Sequence, residues 1–162
     1  YKDGEPGLDE FKAALDAVPW EYFKEIVFCG FGEPTMRLAV LVELLHYVKS
    51  IQPELPTRLN TNGLGNLEYG EDITPKFDKV LDTISISLNA SNAERYYELT
   101  RAKYGIQSYE GMLDFAQKAK RYVPNVVLTI VDHVEGPDEI AKCQKICDDR
   151  GLKLRVRPYE DH

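Results

Sequence analysis

Much of what usually announces a function is missing from this 162-residue sequence. No apolar run approaches the ~20 residues needed to span a membrane, and the opening residues lack the basic-then-apolar pattern of a secretory signal. The sequence has three histidines and three cysteines, and neither type falls into zinc-ligand spacing. It has no phosphate loop of the Walker type and no Ser, His and Asp arrangement of a hydrolase. Positive charge is short as well. Twenty Lys and Arg face 27 Asp and Glu, a net charge of -7, which argues against a protein that coats nucleic acid but leaves a local basic patch open. The odd cysteine count points to a reducing compartment, taken as the cytoplasm, rather than a disulfide scaffold.

What is present is alternation, in a length that fits one domain over residues 1–162 and can bury a real core. Leu8, Phe11, Leu15 and Val18 recur at helical spacing before Pro19. A strand near 25–30 follows, then a helix with Leu38, Leu41, Val42, Leu45 and Val48 on one face, ending near Pro53. A strand at 57–61 feeds the turn NTNGLGN. A short helix over Thr74–Lys79 precedes the β-branched strand 83–89. Asn92 is placed to cap a helix over 92–100, and Ser108–Tyr122 forms the next. A continuous apolar strand, 125–131, is followed by a helix from Pro137 carrying Cys143 and Cys147 on its apolar stripe. A final strand, 152–157, alternates Leu152, Leu154 and Val156 with Lys153, Arg155 and Arg157.

Five apolar strands with helical crossovers predict a parallel sheet. The chain is too short for a complete eight-unit barrel of about 250 residues, so a doubly wound sheet and an incomplete barrel remain as the options. Polar groups stand at nearly every strand's C-terminal end: Glu33, Asn60 and Asn62, Ser87 and Asn89, Asp132, Arg157. Convergence of such ends on one rim is how parallel α/β folds build sites. Turn chemistry alone supplies similar residues at any one end. The five ends together favour a site. The first turn is the focus. In KEIVFCGFGEPTMR, residues 24–37, Gly30 and Gly32 let a ligand approach the main chain, Glu33 stands at the mouth, and Pro34 suits a first helical turn.

GFGEPT after the first strand, LNTNG after the second, ISISLNA after the third, a TIVD strand and a closing RVR strand resemble, in that order, the radical S-adenosylmethionine superfamily. The resemblance covers essentially the whole chain and is greatest to the subgroup associated with TatD-type nucleases. It implies an incomplete TIM-type barrel, with this chain lacking the first strand. It also implies an activity: reductive cleavage of S-adenosylmethionine by a [4Fe–4S] cluster to a 5′-deoxyadenosyl radical, acting on an unknown substrate. Phe31, Gly32, Glu33 and Pro34 match the segment that receives the methionine ammonium, with Phe31 where the family has glycine. Asn60, Thr61 and Asn62 lie where the second motif approaches the same moiety. Ser87 and Asn89 match positions contacting the carboxylate or ribose. Thr129 to Asp132, Val131 and Asp132 among them, would flank the adenine, although the family's Gly-x-Ile-x-Gly-x-x-Glu form is absent. Arg157 could reach a carboxylate. The resemblance further implies a reductant such as flavodoxin or ferredoxin, and a functional link to a TatD-type nuclease.

The family's CxxxCxxC cluster loop is nowhere in the sequence. Cys143 and Cys147 have its first spacing but sit on a helix's apolar stripe, where free cysteine is core; Cys29, inside the first strand, also reads as packing. A cluster needs about four coordinating positions. The expectation is that the chain is a piece of a longer protein, with the cluster cysteines upstream of Tyr1, no metal ligand in this chain, and no activity in this piece alone. Two other readings stay open: a cluster-free module that binds a ligand or partner, and an unrelated hydrolytic site using Glu33, Asp132 and His133. Tyr96, Tyr97, Tyr104 and Tyr109 form an aromatic patch that either shapes a substrate pocket or packs. His46 reads as a helix-surface residue.

Overall fold

The computed structural model describes residues 7–29, 33–131 and 136–158. Phe31, Gly32 and Asp132, with Gly30 and His133, lie outside the described residues. Five strands form one sheet: β1 (Ile26–Phe28), β2 (Thr57–Thr61), β3 (Thr83–Ser87), β4 (Asn125–Val131) and β5 (Lys153–Arg157). The helices are α1 (Leu8–Asp16), α2 (Leu38–Ile51), α3 (Gly65–Tyr69), α4 (Ala93–Thr100), α5 (Gln107–Ala119) and α6 (Gly136–Arg150). Single 3-10 turns occur at Trp20–Tyr22, Pro34–Arg37 and Thr74–Phe77.

All four strand pairings are parallel, and the order is sequential from β1 to β5. A doubly wound sheet would reverse direction partway across, so the incomplete barrel is the architecture. Several elements are shorter than the residue pattern predicts. The first strand begins at Ile26 and ends at Phe28 rather than filling 25–30, the third ends at Ser87, and the fifth starts at Lys153. The third strand stops because Asn89 takes a left-handed backbone, φ 67°, which no strand continues through. The segment after Thr74 is one 3-10 turn to Phe77, and α5 spans 107–119 instead of 108–122. Asn92 does cap α4, accepting from Arg95 N at 2.8 Å.

Register separates the two faces of the sheet. Leu59, Ile84, Val126 and Leu128 are buried in one cluster with Leu45 of α2, Met112 and Phe115 of α5, and Cys143 and Cys147 of α6. Each large aliphatic side chain buried there contributes about 1.5–3 kcal/mol. The other face is bare. Arg58 aligns with Thr83, Asn60 with Ser85, Ser87 with Thr129, and Thr129 with Arg155, with Val127 half-buried and Val131 exposed. The apolar run 125–131 is therefore not buried on both faces. Every second residue faces the barrel interior, where the sheet carries polar groups.

Candidate functional site

The site grows from the C-terminal end of β1. Glu33 caps the Pro34–Arg37 turn: one carboxylate oxygen accepts from Thr35 N at 3.0 Å and Thr35 Oγ1 at 2.6 Å. The same oxygen accepts from Thr61 Oγ1 at 2.5 Å, while the other accepts from Asn62 N at 2.7 Å. These four donors are uncharged. Oε1 carries a single bond in this set, so a carboxylate with about four acceptor sites keeps room for a further donor.

The end of β2 is shaped to hold this arrangement. Asn62 Oδ1 accepts from Leu64 N at 3.0 Å, an Asx-type turn. Gly63 follows at φ 77°, and a Cβ there would lie 2.8 Å from Ile86 Cγ2 and 3.0 Å from Met112 Cγ. Only glycine allows the turn to close onto the core at this point.

Over the bare face lies a cavity of about 500 Å³, within the range of small-molecule sites. Glu33, Pro34, Asn60, Thr61, Asn62, Ser87 and Arg157 all line it. Asn89 lines an adjoining cavity of about 290 Å³ that shares Glu33, Asn62 and Ser87. Val131 is exposed at the end of β4, in register with Arg157. Apart from Val131, which lines neither cavity, the described candidates meet on one rim.

Three further residues of the main cavity carry no mark in the sequence pattern: Glu25, Arg58 and Ser85. Arg58 Nε donates to Glu25 Oε2 at 3.3 Å and Nη1 donates to Ser85 Oγ at 2.7 Å, forming a fixed floor. The available signal was a charged residue in the middle of the strand TRLNT, at the same alternation as Asn60. Cys29 is a correction. It is exposed, one residue past β1, and lines the cavity rather than packing in the core.

Two of the four tyrosines, Tyr96 and Tyr104, wall the adjoining cavity. Tyr96 and Tyr109 are buried as an edge-to-face pair with centroids 5.4 Å apart, and Tyr109 O–H donates to Ala90 O. Tyr104 O–H donates to Glu68, as does Lys103. These bonds, that from Tyr104 first, hold the Glu68 carboxyl below its ordinary range. The patch thus both packs and walls a cavity. His46 is exposed on α2.

Cys143 and Cys147 lie in the core, on the opposite face of the sheet from the cavity, and burial pushes their thiols up to about 12 and about 11. Enclosed among core side chains, neither sulfur faces the cavity. Cys29 alone faces the cavity, and among the described residues no group of three His, Cys, Asp or Glu could hold a metal ion. An iron–sulfur cluster does not fit the described residues. S-adenosylmethionine, with an ammonium, a carboxylate and a nucleoside, fits the cavity's donor set: a carboxylate with spare capacity, asparagines, hydroxyls and an arginine.

A profile of the radical SAM superfamily matches residues 2–145. The chain belongs to that superfamily. No curated protein matches the chain in sequence. Among solved structures, Streptococcus suis SuiB bound to S-adenosylmethionine is similar, with a TM-score of 0.71 at 15% identity over 98% of this chain. SuiB bound to the precursor peptide SuiA gives 0.72 at 15% over 97%. TYW1 with a lysine–pyruvate adduct gives 0.56 at 18% over 95%. At these identities the likeness is one of fold. The radical SAM chain described here spans 35% and 34% of the two SuiB chains and 50% of TYW1. Among the described residues, no helix is long and apolar enough to cross a membrane.

Proposed function

We propose that this chain forms the S-adenosylmethionine-binding core of a cytoplasmic radical SAM enzyme whose whole-protein activity is reductive cleavage of that molecule. The observation that carries the reading is the placement of Glu33, Asn62, Ser87 and Arg157 around one cavity over the bare face of a sequential parallel sheet. When bound, S-adenosylmethionine supplies radical chemistry that no side chain provides.

The chain's own share is binding, orientation and exclusion of water. Glu33 accepts the ammonium of the methionine moiety, a charge-assisted bond that its four neutral donors preorganise without neutralising. The resemblance assigns Phe31 and Gly32 to the same moiety. Thr61 and Asn62 hold Glu33, and with Asn60 they face the same moiety. Ser87 and Asn89 take the carboxylate or ribose, Val131 and Asp132 flank the adenine, and Arg157 pairs with a carboxylate. The [4Fe–4S] cluster that membership implies takes its cysteine ligands from outside this chain. The order of motifs supports the TatD-associated subgroup, and with it a flavodoxin- or ferredoxin-type reductant and a functional link to a TatD-type nuclease.

The test is release of 5′-deoxyadenosine by the parent protein, reconstituted with iron and sulfide under anaerobic conditions and given dithionite and S-adenosylmethionine. Release that is lost in Glu33→Ala supports the reading. A parent protein that binds no iron and releases no 5′-deoxyadenosine favours the cluster-free binding module instead.

A further inference from the structure

The residues assigned above occupy the rim of the main cavity and leave its floor unexplained. Three arginines (Arg58, Arg155, Arg157) and two glutamates (Glu25, Glu33) line the space, so its wall carries one net positive charge in a chain whose net charge is -7. Both acids are engaged, Glu25 by Arg58 and Glu33 by four donors. Arg155 and Arg157 have no hydrogen bond or ion pair among the described residues.

Arg58 is unusual in its own right. It stands mid-strand in β2 with its side chain 23% exposed, held by Glu25 and Ser85 through Nε and Nη1. Its remaining nitrogen, Nη2, has no partner among the described residues. A guanidinium fixed at two points loses little freedom when it makes a third bond, which is the preorganisation that favours oxyanion binding. Arg155, on β5, lies in the row of Thr129 and Ser87. The hydroxyls of Ser85, Ser87 and Thr129 occupy the strands between the two arginines and line the same space.

We infer that the wall of this cavity holds an oxyanion subsite, formed by Arg58 at its floor and Arg155 in the row of Ser87, that takes a carboxylate or phosphate carried by the substrate. The inference rests on the reading of the rim as the place of S-adenosylmethionine. That molecule brings a sulfonium, so a rim-bound cofactor raises the positive charge that an anionic substrate neutralises. In a partly enclosed space such a charge pair is stronger than at an open surface.

The test is NMR of the parent protein with ¹⁵N-labelled arginine, following side-chain Nε–H resonances during titration with inorganic phosphate and, separately, with malonate. The expected result is a saturable shift of the Arg58 and Arg155 signals with at least one of the two probes. A response to phosphate alone assigns a phosphorylated substrate, and a response to malonate alone assigns a carboxylate. Arg155→Gln, at an exposed strand position, should weaken the response roughly tenfold or more, as loss of one charge-assisted pair implies. No saturable shift with either probe, or one that Arg155→Gln leaves unaltered, overturns the inference. Equilibrium dialysis of S-adenosylmethionine on the same sample keeps the two readings apart. Its failure to bind counts against the rim assignment, whatever the anion titration shows.

Discussion

Glu33 Oε1 accepts a hydrogen bond of 2.7 Å from Asn62 N, tying the turn after β1 to the turn after β2 across 29 positions of sequence. Three more donors, two from Thr35 and one from Thr61, converge on the other oxygen. Glu33 is therefore both a site residue and a clamp. Glu33→Ala should strand the buried Thr61 hydroxyl and lower stability by about 1–3 kcal/mol, with Glu33→Gln keeping part of the clamp and losing less. Urea unfolding of both variants checks this; a loss under about 0.5 kcal/mol for Ala would contradict it.

Gly63→Ala should be costly for two separate reasons. The residue sits at φ 77°, and the added methyl meets Ile86 and Met112 at 2.8 and 3.0 Å. Strain and overpacking together predict a loss of about 2–4 kcal/mol, read as a lower unfolding midpoint. Gly70→Ala is the control. It shares the left-handed backbone, φ 66°, but meets nothing within 4 Å, so it should cost less.

Acid stability should depend on Asp82, which joins the N-terminal ends of β2 and β3. Burial raises its carboxyl pKa, but bonds from Lys49 Nζ at 2.7 Å and Thr57 N at 2.8 Å outweigh that and hold it below the ordinary value. A depressed folded-state value stabilises at pH above the unfolded carboxyl range, near 4, and the contribution disappears as pH falls through the folded value. Asp82→Asn should thus be less stable than the parent sequence at neutral pH, with the gap closing below about pH 4. Urea midpoints across that range measure it. A gap independent of pH would contradict the assignment.

Thiol chemistry separates the three cysteines. Cys143 and Cys147 are fully buried with thiols pushed up to about 12 and about 11, whereas Cys29 is exposed at the cavity. Of these three thiols, a disulfide reagent should modify only Cys29 in the native protein and all three after unfolding. S-adenosylmethionine should slow the native reaction. Rapid modification of Cys143 or Cys147 would contradict the packing described.

Residue pattern made the five strands, their parallel arrangement and the helical faces legible, because β-branched runs and 3.6-residue spacing report local burial directly. Leu45, Val48 and Met112 fall where that spacing places them. The rim was legible too, since Glu33, Asn62, Ser87 and Arg157 each stand at a strand end. The bare face was not. Val127 and Thr129 read as interior residues in an apolar run, and only the pairing register puts them opposite the core. The floor pair of Arg58 and Glu25 is 33 positions apart, beyond any local signal. Cys29 was misplaced because β1 ends at Phe28, one residue before it. The five-residue α3 went unread, having no room for a repeat; its Gly65 packs against Ile73.

The most direct test of the central claim is equilibrium binding of S-adenosylmethionine to the parent protein and its Glu33→Gln and Glu33→Ala variants. Glu33 receiving the ammonium predicts an affinity loss of about tenfold for Gln and more for Ala, the cost of a charge-assisted bond, in variants whose unfolding midpoints show them folded. Wild-type affinity in a folded Glu33→Ala variant would contradict it.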